Sequence, residues 1–402
     1  MSMQQFESIR PYQDNEVPAV IERLLQSDAL IHAIIHVQFP LVPRYLEKPL
    51  ARFVRHRIHK NLKEISTVDD FQERMRSFVE STIEKSITEF TFSGEHNLQK
   101  GVPYVFISNH RDITLDSALL NFALLNAGLD TAEIAIGDNL LSNPLVSDLL
   151  RLNKSFVVNR SVSGVKAKYQ ALLQLSHYIS QANNEGRSVW IAQREGRAKD
   201  GFDITDPAII KMLHIWQKKQ GVSFSEAMNR LNLVPVSISY EYDPCDGLKA
   251  TELQARASAE YVKQEGEDVE SIMRGIALPK GHVHIEIGEP LHGDFADATA
   301  LAHALDEQIV ANYRLFPPSL LAIEHMLNLG KAMQSLKDDS ITRFQTIAQQ
   351  ARETLSAVDA QELSRQAAEF SARLAHYPAQ VQRYILEMYA NPLLNKYNYP
   401  AR

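Results

Sequence analysis

The residues best suited to chemistry lie in one short stretch, Ser108-Asn109-His110-Arg111-Asp112-Ile113-Thr114-Leu115-Asp116, where an apolar run stops in a cluster of polar groups able to move protons. An imidazole held by a carboxylate keeps one tautomer, and its other nitrogen then serves as a general base near neutral pH. Two carboxylates follow His110 along the chain, Asp112 and Asp116. A polar turn with a histidine bonded only to backbone would use the same residue types, so the stretch takes its meaning from its surroundings.

Residues 102–107, broken by Pro103 and otherwise rich in β-branched and aromatic side chains, read as a buried strand, and 116–125 as a helix. Loops at strand ends carry the reactive groups of α/β folds, so a histidine at this handover is well placed. The alternation continues from about 98 to 325. Candidate strands lie at 132–136, 155–159, 188–193, 233–242 and 282–287, and helices at about 116–126, 143–152, 165–183 and 206–219. Asp206-Pro207 supplies a cap and a first helical residue for the last of these. This pattern predicts an α/β fold with a central, mostly parallel sheet flanked by helices.

Helical extensions are expected at both ends. The division is a helical N-terminal region at 1–97, the α/β domain at 98–325 and a helical C-terminal extension at 326–402. N-terminal helices are expected at 17–25, 28–37, 45–62 and 71–90, and C-terminal ones, after Pro317-Pro318, at 319–336, 339–356, 359–375 and 378–390. In the third N-terminal helix, Leu46, Leu50, Phe53, Val54, Ile58 and Leu62 form one stripe, with Lys48, Arg52, Arg55, His56, His59, Lys60 and Lys63 on the other faces. Such a helix lies in a membrane interface or packs as an ordinary surface helix.

Composition narrows the classes. A net charge of -7 gives no global basic field to recruit nucleic acid, so attraction to an anionic surface would be local. The one cysteine, Cys245, excludes an intramolecular disulfide framework and fits a reducing compartment. No secretory signal is expected at the N-terminus, and no window approaches the roughly 20 apolar residues of a spanning helix, so membrane contact would be peripheral. His282, His284 and Glu286 alternate along one strand face; they are expected to form the polar outer face of an edge strand, and no metal site is expected. His110-Arg111-Asp112 repeats the opening of a kinase catalytic loop, but Ser117 stands where that loop places Asn, and no glycine-rich loop accompanies it.

Four blocks occur in order within the α/β part: Asn109-His110 to Asp116; Phe156-Val157-Val158-Asn159-Arg160; Arg194-Glu195-Gly196-Arg197-Ala198-Lys199-Asp200-Gly201; and Leu233-Val234-Pro235-Val236-Ser237-Ile238-Ser239-Tyr240. Together they resemble the glycerolipid acyltransferase family, the glycerol-3-phosphate and 1-acylglycerol-3-phosphate acyltransferases, over about half the chain. Two departures stand out. The family usually spaces its His and Asp with four residues between them, and here five separate His110 from Asp116; its third block usually reads Glu-Gly-Thr-Arg, and here Arg197 follows Gly196 directly. Asp116, at the start of the helical run, is favoured as the partner of His110 with Asp112 as a helix cap; the reverse assignment stays open.

The resemblance implies a glycerol-3-phosphate acyltransferase-like fold and an O-acyltransferase of phospholipid biosynthesis, working without cofactor or metal at the cytoplasmic face of the inner membrane as a peripheral protein. Acyl-CoA or acyl carrier protein would be the donor, and a phosphorylated glycerol or a lysophospholipid the acceptor. His110 as base lets the acceptor hydroxyl attack the thioester directly, so no nucleophilic Ser or Cys is needed. The acceptor phosphate needs fixed cations, for which Arg160, Arg197, Lys199 and Arg111 are candidates. Glu195 would hold an acceptor hydroxyl or lock Arg197, Gly196 would let backbone approach the ligand, and Pro235 would shape the fourth loop and the acyl entrance. Arg111 and the full Val-Pro-Val-Ser-Ile-Ser-Tyr run look more like members acylating glycerol-3-phosphate or dihydroxyacetone phosphate than those acylating lysophosphatidate. The alternatives are lysophosphatidate acylation and, in a different class, a catalytically impaired lipid-binding or scaffold protein.

Overall fold

The computed structural model describes residues 3–28, 31, 35, 44–141, 143–258, 261–264, 266–333, 338–354 and 359–398. The helix expected at 28–37 lies largely outside them. Seven strands form one sheet: β1 (Glu89–Ser93), β2 (Val105–Ser108), β3 (Glu133–Gly137), β4 (Ser155–Val158), β5 (Val189–Ala192), β6 (Leu233–Tyr240) and β7 (His282–Ile287), ordered β1-β7-β6-β2-β5-β3-β4. Every pairing is parallel except β6–β7. The C-terminal ends of β2 to β6 therefore open on one edge, where α/β sheets place their sites.

The inner strands β2, β5 and β6 are buried on both faces, which is why they read as near-continuous apolar runs. Val105 and Ile107 face one helical layer, with Tyr178 and Ile179 of α6 (Val165–Asn184), Leu213 of α7 (Pro207–Lys219), Met228 of α8 (Phe224–Leu231) and Leu301 of α11 (Ala298–Asn312). Phe106 points the other way, onto α3 (Val68–Ser86) and α4 (Leu115–Asn126). Helix starts follow their caps. Thr67 forms a capping box with Asp70 at α3, Asn143 precedes Pro144 at α5 (Pro144–Leu152), and the Asp206 side chain accepts from the Ala208 amide at α7.

Two corrections concern the sheet's far side. The helix expected to reach residue 90 ends at Ser86, Ile87 turns extended, and Glu89–Ser93 becomes β1. Its Glu-Phe-Thr-Phe-Ser alternation has period two, and pairing with β7 decided between the two periods. β7 is consequently an inner strand. His282 and His284 both meet the Thr91 hydroxyl at 2.8 Å, and Ser93 donates to Glu286, so the polar ladder is satisfied between strands instead of facing water.

The amphipathic N-terminal helix, α2 (Arg44–Leu62), follows α1 (Val17–Gln26) and divides its stripe. Leu50, Val54 and Ile58 pack with Ile31 and Ile35, while Leu46 and Phe53 stay exposed at 42% and 58%. No helix among the described residues is long and apolar enough to cross a membrane. After α9 (Asp246–Ser258), α10 (Glu267–Ala277) and α11, the C-terminal helices α12 (Pro317–Met333), α13 (Asp338–Thr354), α14 (Ala360–Ala375) and α15 (Ala379–Asn398) gather around a core of their own, including Leu320, Ile347, Phe370 and Ile385.

Candidate active site

The turn after β2 brings His110 onto Asp116. The imidazole Nδ1 lies 2.7 Å from Asp116 Oδ2, and the same oxygen accepts the backbone N–H groups of Arg111 at 2.6 Å and Asp112 at 3.0 Å. The other oxygen, Oδ1, accepts the Tyr240 hydroxyl at 2.9 Å. Asp116 is fully buried, and four donors satisfy its charge there. Burial, followed by the charge of Asp116, pushes the Tyr240 phenol well above its ordinary range, so it stays a donor. The residue that lengthens the His–Asp spacing is absorbed in the turn 112–114. Asp112 Oδ1 accepts from the amides of Thr114 and Leu115, both at 2.9 Å, and so closes the start of α4.

Asp112 is itself buried; burial and then the neighbouring charge of Asp116 raise its carboxyl above the usual range. Helix α10 covers it so closely that a Cβ on Gly275 would lie 2.2 Å from Asp112 Oδ2, which leaves glycine as the residue that fits. The His110 side chain keeps 15% exposure and meets Trp190 edge to face at 5.6 Å. With Nδ1 committed to Asp116, Nε2 is the nitrogen left to take a proton. Asn109 ties the turn to β6, its amide accepting from Ile238 N at 2.8 Å and donating to Ile238 O at 2.9 Å.

The cations proposed from sequence separate into two groups. Arg160, at the end of β4, pairs with Glu195 at 3.6 Å, and both are exposed enough to rearrange around a ligand. Arg197 follows Gly196, which takes φ +75°; its Nη2 donates to Ser271 of α10 at 3.3 Å, while Nη1 is buried with no partner among the described residues. Lys199 is bound to Glu252, and burial lowers its ammonium. Arg111 turns away from this group. Its guanidinium is buried against Asp203 at 2.5 Å and lies over the Tyr313 ring at 5.5 Å, so it is not placed to meet an acceptor.

Pro235 also departs from expectation. It is buried inside β6, beside Ile107 of β2, and lines no loop. Its carbonyl accepts from Gly288 N at 2.8 Å just past the end of β7, so its missing N–H faces the point where the antiparallel ladder has already stopped.

Sequence reasoning passed over Tyr240, although it ended the fourth block as a polar residue closing an apolar strand. Ser271 and Trp190 carried no comparable signal, since only packing brings them to the site.

Residues 89–239 match the Acyltransferase family model. They form an acyltransferase-family domain. Over 201 residues the chain is 26% identical to the dihydroxyacetone phosphate acyltransferase of Bos taurus. That stretch is 49% of this chain and 28% of the relative, so the chain spans well under two thirds of that protein. The 1-acyl-sn-glycerophosphate (LPA) acyltransferase from Thermotoga maritima, a crystal structure, aligns with a TM-score of 0.36 and 16% identity, covering 72% of this chain and 92% of its own. The matched segment thus holds β1 to β5, β6 up to Ser239 and the four sequence blocks except Tyr240, while β7, α10 and the C-terminal helices lie beyond it.

Proposed function

We propose that this protein transfers a fatty acyl group from a thioester donor, acyl-CoA or acyl carrier protein, to a hydroxyl of a phosphorylated glycerol in phospholipid biosynthesis. The observation that carries this reading is the His110–Asp116 pair, 2.7 Å apart at the carboxyl edge of a parallel sheet inside an acyltransferase-family segment. His110 Nε2 takes the proton of the acceptor hydroxyl as its oxygen attacks the thioester carbonyl. The tetrahedral intermediate then expels the thiolate, which recovers a proton from the imidazolium. Asp116 stabilises that cation while remaining ionised. Arg160, Arg197 and Lys199 are the groups assigned to the acceptor phosphate, with Glu195 able to release Arg160 when the phosphate arrives.

The acceptor we favour is glycerol-3-phosphate or dihydroxyacetone phosphate; the bovine relative's name and the Val-Pro-Val-Ser-Ile-Ser-Tyr block support this choice over lysophosphatidate. The test is thiol release from palmitoyl-CoA, and from acylated carrier protein, with each of the three acceptors and beside His110→Ala. Release that requires an acceptor and His110 is expected. Release that persists in His110→Ala removes the general-base assignment, and no release with any donor leaves a lipid-binding protein without the chemistry.

We also propose peripheral action at the cytoplasmic membrane face, through the exposed Leu46 and Phe53 and the cations Arg52 and Lys60 on α2. Changing Arg52 and Lys60 to Gln together with Phe53→Ser is expected to release the protein from anionic vesicles. Unaltered binding makes α2 an ordinary surface helix.

A further inference from the structure

The peptide that carries His110 is held on both sides by loops that do not end in solvent. The loop after β5 reaches it through the Ala198 amide, which donates to the His110 carbonyl at 2.8 Å, and through Asp203, paired with Arg111. On the other side, Lys249 in the first turn of α9 donates its ammonium to the Arg111 carbonyl at 2.6 Å and pairs with Asp243 of the loop between β6 and α9. Arg111, Asp203, Asp243 and Lys249 are all buried.

Each loop is in turn gripped by the C-terminal helices. On the first, Asn391 Nδ2 donates to the Asp200 carbonyl at 2.6 Å and Asn395 Nδ2 to that of Asp203 at 3.3 Å. The fit is close enough that a Cβ on Gly201 would lie 2.2 Å from the Met388 carbonyl oxygen. On the second, the Tyr389 hydroxyl accepts the Asp243 amide at 3.0 Å and donates to Asp246 Oδ2 at 2.9 Å. Arg373 adds Nε to Asp246 at 2.5 Å and Nη2 to the Asp243 carbonyl at 2.9 Å. Part of the contact is apolar, with Ala250, Tyr313 and Leu315 joining the core of the C-terminal helices. The rest places buried polar groups, costly to desolvate, on the backbone of the two loops, and buried hydrogen bonds to backbone narrow the positions those loops can take.

We propose that α14 and α15 are a positioning element of the acyl-transfer site, with Tyr389 and Asn391 as positioning residues that fix the His110 peptide from outside the family-matched segment. The proposal rests on the reading of His110 as the base. Displacements near 1 Å from a distant change can cost about 10²-fold in rate, so a tie through two hydrogen-bonded loops is sufficient.

The test uses full-length Tyr389→Phe and Asn391→Ala, with Ile385→Val as a control that deletes one methyl from the helical core and none of these hydrogen bonds. Amide hydrogen exchange is read at Arg111 and Ala198 against the sheet interior at Phe106 and Ile107, and steady-state transfer is measured at saturating donor. Faster exchange at Arg111 and Ala198 is expected in both variants but not in the control, with kcat lowered about tenfold, KM for the acceptor unchanged, and partial retention of both in Asn391→Ser. Exchange equal to wild type, or faster exchange with unchanged kcat, overturns the proposal; so does an equal loss of kcat in Ile385→Val, which would assign the helices to stability. Wild-type protein that transfers nothing would instead refute the proposed function, and the exchange measurements would still decide whether the helices hold the loops.

Discussion

Asp116→Asn is the substitution on which the geometry speaks most sharply. In a His–Asp pair, an amide in place of the carboxylate can invert the histidine tautomer and cost about 10⁴-fold in rate. Here the surroundings forbid the inversion. Three N–H groups converge on the Oδ2 position, from His110, Arg111 and Asp112, so that position must keep an oxygen. The new NH₂ is directed to the Oδ1 position, where the Tyr240 hydroxyl, now a donor, can rotate and accept. His110 retains its tautomer and loses only the negative charge behind it. Two unit charges about 4 Å apart interact by about 4 kcal/mol at an effective permittivity near 20, and a charge-assisted hydrogen bond is about twice as strong as a neutral one. The expected loss of about 1–4 kcal/mol is a ~5- to ~10³-fold fall in kcat. Asp112→Asn is the companion. Its amide oxygen can keep both bonds to the start of α4, and burial already holds this carboxyl above its usual range, so turnover is expected within about threefold, under ~1 kcal/mol. The assay is thiol release at saturating acceptor, with ¹⁵N spectra of the imidazole reporting the tautomer. A fall near ~10⁴-fold in Asp116→Asn with the proton moved to Nε2, or equal losses in the two variants, would refute the reasoning.

Three further outcomes are expected. Arg111→Ala leaves Asp203 buried without its cation and should destabilise by about 3–5 kcal/mol in urea unfolding, whereas the exposed Arg160→Ala should cost under about 1 kcal/mol. Of these two, only Arg160→Ala should raise KM for the phosphorylated acceptor; a rise confined to Arg111→Ala would contradict the burial of that guanidinium. Lys280 is buried, donates to Ser86 Oγ at 2.8 Å and Leu278 O at 2.7 Å, and burial lowers its ammonium from 10.5 to about 8. Between those values the unfolded chain binds more protons, so wild-type stability should rise with pH relative to Lys280→Met from about 8 to about 10.5; a flat difference in urea midpoints across that range would show that the ammonium is solvated.

Much of the α/β layer was legible because parallel strands buried on both faces write themselves as apolar runs, and caps such as Asp206-Pro207 mark helix starts locally. β1 was not legible. Glu89–Ser93 follows a helical pattern without a break, and only its partner, β7, selects the extended form. The four helices at Phe224–Leu231, Asp246–Ser258, Glu267–Ala277 and Ala298–Asn312 were missed as well; each is short, and over so few residues an apolar pattern does not by itself separate helix from other structure. The polar face of β7 was read as an edge because alternation reports which residues share a face and is silent on what lies against that face.

The sequence by itself determined the residue types and their order: a histidine at a strand end with two carboxylates following, and arginines at the ends of two further strands. Chain spacing could not choose between Asp112 and Asp116, because a turn of one more residue changes the path of the backbone without changing its composition. The tertiary structure directed Asp116 to His110 by surrounding it with two amides and the Tyr240 hydroxyl, and left Asp112 to close a helix. It also drew Arg111 into a buried pair with Asp203, 92 residues away, and set the C-terminal helices against both loops that hold His110. A long side chain's partner is chosen by whatever packs against it, and that choice belongs to the folded chain alone.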